Sequence, residues 1–280
     1  MWYHMYNILV TLDANYIPPL NVLLHSLFKN HPDDSFSIYL MHSSIPDRDL
    51  TDLHQFVNES ENFLFPIKVD PQTFSGAPVF RHYTAEMYYR LLAHQLLPDH
   101  LERILYLDPD IVCMNSISKF YNTPFHDHLF IAAEHEYSSR MARLINKMRL
   151  RTPKAKGYYN TGVLLMNLEG MRETVYPGEI FQFIEQNKLK LVLPDQDILN
   201  GLYWDRIQSV PSMYYNFDAR YYEFSKFLPN QKYTLEWIRE HTVFIHYCGK
   251  NKPWHDHYRG TLGMFYKEYE KDLMKLRIQV

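Results

Sequence analysis

From Asn7 to Val69 the chain alternates short apolar runs with longer amphipathic ones, an order that few architectures accept. Asn7–Leu12, Phe36–Met41 and Phe63–Val69 read as buried strands. The first intervening helix is opened by Pro18 and Pro19 and carries Leu20, Leu23, Leu24, Leu27 and Phe28 at helical spacing. A second, started by Ser44 and Pro46, covers about Asp47 to Asn58. Strand–helix–strand–helix–strand calls for a parallel sheet with right-handed crossovers, hence an α/β fold with helices on the faces of the sheet.

Ile104–Leu107 has the length of another buried strand, and it ends in Asp108-Pro109-Asp110 before apolar character resumes at Ile111-Val112. Aspartate is a poor strand former and costly to bury unpaired. The carboxyl end of a strand is where open α/β sheets place ligands. In extended backbone Asp108 and Asp110 point to the same side, and Pro109 holds Asp108 extended. Converging carboxylates repel unless a cation lies between them. Oxygen donors suit a hard ion, Mg²⁺ or Mn²⁺, shared with a substrate phosphate. Taken alone, the tripeptide fits a solvated surface turn equally well.

The bulk composition decides less. A net charge of −3 over 280 residues gives no global attraction for nucleic acid or membrane. Cys113 and Cys248 have neither metal-motif spacing nor the numbers for a disulfide framework. The 23 Tyr and 17 Phe suit a sugar-handling cleft and an ordinary core alike. The opening Met-Trp-Tyr-His-Met-Tyr is too short for a signal peptide, and no apolar run is long enough to span a bilayer. A soluble, cytoplasmic protein is the expectation.

After the first strand, Asp13 and Asn15 could hydrogen-bond a base or ribose with Tyr16 stacking beneath a ring, or could simply start the helix. Neither G-x-G-x-x-G nor a P-loop is present. Pro71–Thr84, with Gly76 and Pro78, is an irregular loop long enough for a lid. The helix expected from Ala85 to Leu97 carries Arg90, either an anion clamp or a solvated residue. Phe125–Glu134 reads as a strand. Arg140, Arg143, Lys147, Arg149, Arg151, Lys154 and Lys156 form a basic run with no acidic residue, threaded by Met141, Leu144, Ile145 and Met148 at amphipathic spacing. Such a run is a surface for an anionic acceptor or lipid headgroups, or a solvated helix face.

Gly157–Leu168 is a buried strand with an Asn160-Thr161-Gly162 entry, where Gly162 permits close approach to the backbone. Pro194 opens a helix whose first turn holds Asp195 and Asp197; they complement the helix dipole or, with Gln196, face a cleft. Helix Gly178–Asn187 precedes it, and Arg206–Phe217 is strand and loop. Thr242–His246 is a last strand, leading through His246-Tyr247-Cys248-Gly249 to Lys252-Pro253-Trp254. A helix over Gly263–Leu276 closes the chain.

Four segments in order resemble the retaining glycosyltransferases of family 8, which include lipooligosaccharide galactosyltransferases, general-stress-protein-A-like enzymes and, more distantly, glycogenin. Asp108-Pro109-Asp110 is similar to the D-x-D motif, and Tyr159-Asn160-Thr161-Gly162 with Val-Leu-Leu-Met-Asn-Leu to N-x-G-V-L-L-x-N-L. Asp195-Gln196-Asp197 is similar to D-Q-D, and His246-Tyr247-Cys248-Gly249 with Lys252-Pro253-Trp254 to H-Y-x-G-x-x-K-P-W. The resemblance covers Leu9 to Trp254. It implies one Rossmann-like nucleotide-diphospho-sugar transferase domain over 1–280 with a mixed, mostly parallel sheet, a catalytic core over 1–255 and a C-terminal helix in 256–280.

It implies Asp108, Asp110 and His246 as ligands of Mn²⁺, with Mg²⁺ second; His246 supplies the third ligand that two aspartates leave open. Thr11, Asp13, Asn15 and Tyr16 would hold the uridine. Arg90, Asn160, Asp195 and Gln196 would contact the donor sugar, and Lys252, with Gly249 in the same loop, the diphosphate. The implied reaction moves glucose or galactose from a UDP-hexose to a glycan or glycosylated-protein acceptor with retention. Gln196 stands where a nucleophile would, so either Asp195 or Asp197 moves in or the acceptor attacks on the face that UDP leaves; the second route is expected. Nucleic acid is not an expected partner, and membrane contact is at most peripheral at the inner face. The alternatives from other classes are a metal-dependent phosphohydrolase and a nucleotide-sugar-binding module without turnover. The oligomeric state has no signature in the sequence.

Overall fold

The computed structural model describes residues 4–70, 72, 86–134, 140–228 and 232–278. Its main sheet contains β1 (Met5–Thr11), β2 (Ser35–His42), β3 (Phe63–Lys68), β4 (Arg103–Leu107), β6 (Phe130–Glu134), β7 (Tyr159–Asn167) and β8 (Ile207–Val210), in the order β3-β2-β1-β4-β7-β6-β8. A smaller sheet, β5-β10-β9, contains β5 (Ile111–Cys113), β9 (Phe217–Asp218) and β10 (Phe244–His246). Helices cover both faces of the main sheet, and the α/β class read from the sequence holds.

Through β3-β2-β1-β4 every pairing is parallel, with Met5 opposite Ser35 and Leu9 opposite Tyr106. β7 then lies antiparallel to both β4 and β6, while β8 returns parallel to β6, so the sheet is mixed. β4 is apolar throughout because both faces are covered. Ile104 and Tyr106 face Leu9, Met41, Leu164 and Met166 in one core. Leu105 and Leu107 face Ile8, Val10 and the buried leucines of helix Ile17–Lys29 in the other. A third core lies between the small sheet and the C-terminal helix Gly263–Ile278, around Val112, Phe217, Ile245, Phe265 and Tyr266. Asp272 of that helix ties it to helix Ile17–Lys29 through Lys29 and His25.

Several local expectations need correction. The helix read over Ala85–Leu97 is broken by a tight 3₁₀ turn at Arg90–Leu92 between Glu86–Tyr89 and Ala93–Leu96. The strand read from Phe125 starts only at Phe130, since 122–129 is spent on turns that include His126 at φ +48°. Leu168 opens a helix, Leu168–Thr174, because the Asn167 side chain accepts from the Gly170 N–H and ends the strand. Most of the segment read as a lid, Pro71–Thr84, lies outside the described residues. Among the described residues no helix is long and apolar enough to cross a membrane.

Candidate active site

β4 and β5 belong to different sheets, and Asp108-Pro109-Asp110 is the link between them. Period-two geometry places Tyr106 and Asp108 on one side of the chain, and the Tyr106 hydroxyl donates to Asp108 Oδ1 at 2.5 Å. The same hydroxyl lies 3.3 Å from Thr11 Oγ1 at the end of β1. Arg90, projecting from the 3₁₀ turn, stacks its guanidinium 4.0 Å from the centre of the Tyr106 ring. Its Nη2 lies 3.1 Å from Asp108 Oδ1 and its Nη1 3.3 Å from Asp195 Oδ2, and Nη1 donates to the Thr161 carbonyl. Of the two readings left open for Arg90, the structure supports a clamp, and what it holds is carboxylates. Despite burial, which disfavours its charge, the surrounding anionic groups keep the guanidinium firmly protonated.

Antiparallel pairing of β5 with β10 sets His246 opposite Ile111, next to Asp110. His246 Nε2 lies 3.2 Å from Asp110 Oδ1 and 3.6 Å from Asp108 Oδ2. The other Asp110 oxygen accepts from Lys252 Nζ, which also donates to the Tyr247 carbonyl. One ligand atom from each of Asp108, Asp110 and His246 lies within 4.8 Å of the others. Gly162 makes room for this. A Cβ there would fall 2.2 Å from His246 Cε1 and 2.6 Å from Asp108 Oδ2.

A chain of amides fixes the imidazole. The Gly162 N–H donates to Asn160 Oδ1 at 2.8 Å, which establishes that atom as the oxygen. Asn216 must therefore offer its Nδ2 to Asn160, at 2.8 Å, and turn its oxygen to His246 Nδ1 at 3.0 Å. Nδ1 then carries a proton, and Nε2 is the nitrogen that faces the carboxylates. An imidazole whose far N–H is held by a second residue is the usual state of a metal-ligating histidine. Two carboxylate oxygens and this nitrogen fit a Mn²⁺-type ion.

The charged groups of the site shift one another. Burial would raise the Asp110 carboxyl, but His246 and Lys252 hold it well below the usual carboxylate range. Burial would lower His246, and the facing Cys248 and Asp110 outweigh it and raise it. A ligating His246 must give up its extra proton first. Burial, reinforced by Asp108, lifts Asp195 despite Arg90.

Helix Pro194–Leu202 is docked on β7 by Asn200, whose side chain bonds both the N–H and the C=O of Tyr159. Asp195 thereby accepts from Thr161 Oγ1 at 2.9 Å, and Gln196 Oε1 from Asn160 at 3.4 Å. Asp197 does not join them. It is fully buried and takes both guanidinium nitrogens of Arg149 at 2.5 Å, the Tyr158 hydroxyl at 2.7 Å and the N–H groups of Val192 and Leu193. In this structure the carboxylate is spent on these bonds, apart from the Asp108, Asp110 and His246 group with which it was expected to act.

Around the mouth, Asp13 caps the turn Ala14–Tyr16 by accepting from the Asn15 N–H, one of the two roles open to it. Asn15 is exposed. Tyr16 stands edge-on to Trp254, 6.0 Å between centroids, and feels the charges of Lys252, Asp110 and Asp108. Gly249, at φ +91°, sits beside Arg220, which Asp218 anchors. Sequence reading missed the roles of Tyr106, Thr161, Asn216, Tyr158 and Arg149, though Thr161 stood in the Asn-Thr-Gly entry and Arg149 in the basic run. Tyr106 had a signal of its own, two positions before Asp108 on a strand.

The family model for Glycosyl transferase family 8 matches residues 7–258. A lipopolysaccharide 1,2-glucosyltransferase of Escherichia coli is 27% identical over 256 residues, 90% of this chain and 74% of that protein. General stress protein A of Bacillus subtilis (strain 168) is 25% identical over 251 residues, 86% of this chain and 85% of that protein. Among solved structures, galactosyltransferase LgtC in complex with donor and acceptor sugar analogs superposes with a TM-score of 0.82 at 25% identity, over 95% of both chains.

Proposed function

This chain belongs to glycosyltransferase family 8 and is a retaining hexosyltransferase, and on that premise we propose that it moves glucose or galactose from a UDP-sugar to a cell-envelope glycan with the help of Mn²⁺. The observation that carries the proposal is the meeting of Asp108, Asp110 and His246 beside Gly162. Relatives named as lipopolysaccharide glucosyl- and galactosyltransferases support a glycan acceptor and leave both hexoses open.

When bound, the ion neutralises charge that grows on the leaving diphosphate. The rest is done by side chains. Lys252, now on Asp110, is the cation assigned to a diphosphate oxygen. Thr11, Asp13, Asn15 and Tyr16 line the end of β1 as the uridine side. Arg90 holds Asp108 and Asp195 in register, so the metal side and the sugar side cannot drift apart. Asn160, Asp195 and Gln196 form the floor on which the hexose would be oriented.

Retention through a covalent intermediate needs a free carboxylate about 5 Å from its partner group. Asp195 is held by Thr161 and Arg90, Asp197 by Arg149 and Tyr158, and Gln196 is an amide. That occupancy favours attack by the acceptor on the face that UDP leaves, with a phosphate oxygen receiving its proton. We expect UDP release from UDP-glucose or UDP-galactose in the presence of Mn²⁺, with residual turnover surviving Gln196→Ala. A coupled UDP assay reads this; release of monophosphate instead would identify a phosphohydrolase, and donor binding with no release a binding module.

A further inference from the structure

Helix Arg140–Arg149 leaves Leu144, Ile145 and Met148 in water, exposed at 53%, 54% and 73%. Arg149 reaches inward, to Asp197, and on the way it donates to the Lys190 carbonyl at 2.8 Å. That bond sets the turn 188–192 beside the helix, and there Leu189 and Val192 are 91% and 65% exposed. Along the chain Lys147 stands between Ile145 and Met148, Lys188 and Lys190 flank Leu189, Arg151, Lys154 and Lys156 follow the helix, and neither 140–156 nor 187–192 contains an acidic residue. Asp197 is taken by Arg149, and Glu185 at the edge pairs with Lys188. A chain of net charge −3 thus carries a predominantly basic, apolar face.

We propose that this face, helix 140–149 with the turn 188–192, docks on an anionic lipid bilayer. A merely solvated face does not cluster large uncovered apolar side chains. A protein partner fits poorly, because interfaces between proteins are depleted in lysine. A bilayer surface takes both halves of the pattern: leucine, isoleucine and methionine enter the acyl boundary, and the ammonium groups meet lipid phosphates. The docking face and the active site share helix Pro194–Leu202, reached from one side by Arg149 and from the other by Arg90.

Co-sedimentation of the whole chain with vesicles tests this independently of turnover. The expected result is partition onto vesicles of equal parts phosphatidylglycerol and phosphatidylcholine, weakening with salt, and none onto phosphatidylcholine alone. Lys147→Gln and Lys190→Gln should each weaken partition about fivefold. Met148→Gln with Leu189→Gln should weaken it by on the order of tenfold, with UDP release in solution and thermal unfolding unchanged because these side chains are exposed. Equal binding to both vesicles, binding insensitive to the variants, or a dimer in sedimentation equilibrium that the Met148→Gln, Leu189→Gln variant dissociates would overturn the proposal. The last result would make the face a contact between copies.

Discussion

Asp110→Asn lowers turnover by on the order of a thousandfold and also costs stability. The first effect follows from the geometry: Asp110 offers one oxygen on the side of His246 where the proposed ion would bind, and an amide supplies neither the charge nor a second acceptor. The second is a consequence of Lys252. Its ammonium is buried and its protonation is sustained, against burial, by Asp110. Neutralising the carboxylate leaves the buried Lys252 ammonium without its counter-charge and protonated His246 with Asp108 alone, a loss of about 3–5 kcal/mol for a broken buried pair. In a chain of this size that lowers the melting temperature by on the order of 10 °C. The two effects separate in a double variant. Adding Lys252→Met should restore much of the melting temperature and none of the turnover. Recovery of both would mean that Asp110 serves only to neutralise Lys252.

Gly162→Ala should disable the site with a single methyl group. The added Cβ would lie closer to His246 Cε1 and Asp108 Oδ2 than non-bonded atoms ever come. Neither the backbone nor the ligands can easily yield. β7 is fixed between β4 and β6, and His246 is held by Asn216. Overpacking of this kind costs about 1–3 kcal/mol of stability. The functional loss is larger, because the two ligands are pushed apart along the line they share. Metal affinity should fall by at least the 10–100-fold seen when supporting residues of such sites are altered, with UDP release following. Gly178→Ala is the control: a Cβ there meets nothing within 4 Å and the residue lies in helix Pro177–Asn187, so it should leave activity unchanged. An active Gly162→Ala enzyme with normal Mn²⁺ dependence would show that His246 and Asp108 do not act on one ion.

Parts of this site were legible because short-range periodicity dictates them. Asp108 and Asp110 converge because extended backbone repeats every two residues, and Pro109 preserves that geometry. The same rule misleads on a helix. Asp195 and Asp197 are also two apart, but helical residues two apart lie on roughly opposite faces, so Asp195 reaches Arg90 while Asp197 turns to Arg149. Asn216 could not be found from sequence, because its role depends on β9 pairing with β10 and carrying it to His246 Nδ1. The first half of the fold was legible from alternating strands and helices. The direction of β7 was not, since a strand buried on both faces is apolar throughout whether its neighbours are parallel or antiparallel. Helices Ala219–Ser225 and Leu235–His241 are too short to establish a period and are recognisable only by their caps, Asp218 and Thr234.

On the proposed function, Asp108, Asp110 and His246 together hold the divalent ion that carries the donor's diphosphate. Electron paramagnetic resonance of Mn²⁺ titrated into the protein with UDP present tests it most directly, since bound ion is lost from the free-ion signal. One tightly bound Mn²⁺ per chain is expected in the wild type, with loss of that binding in His246→Ala and Asp108→Asn. Mn²⁺ bound as tightly by His246→Ala as by the wild type would contradict it.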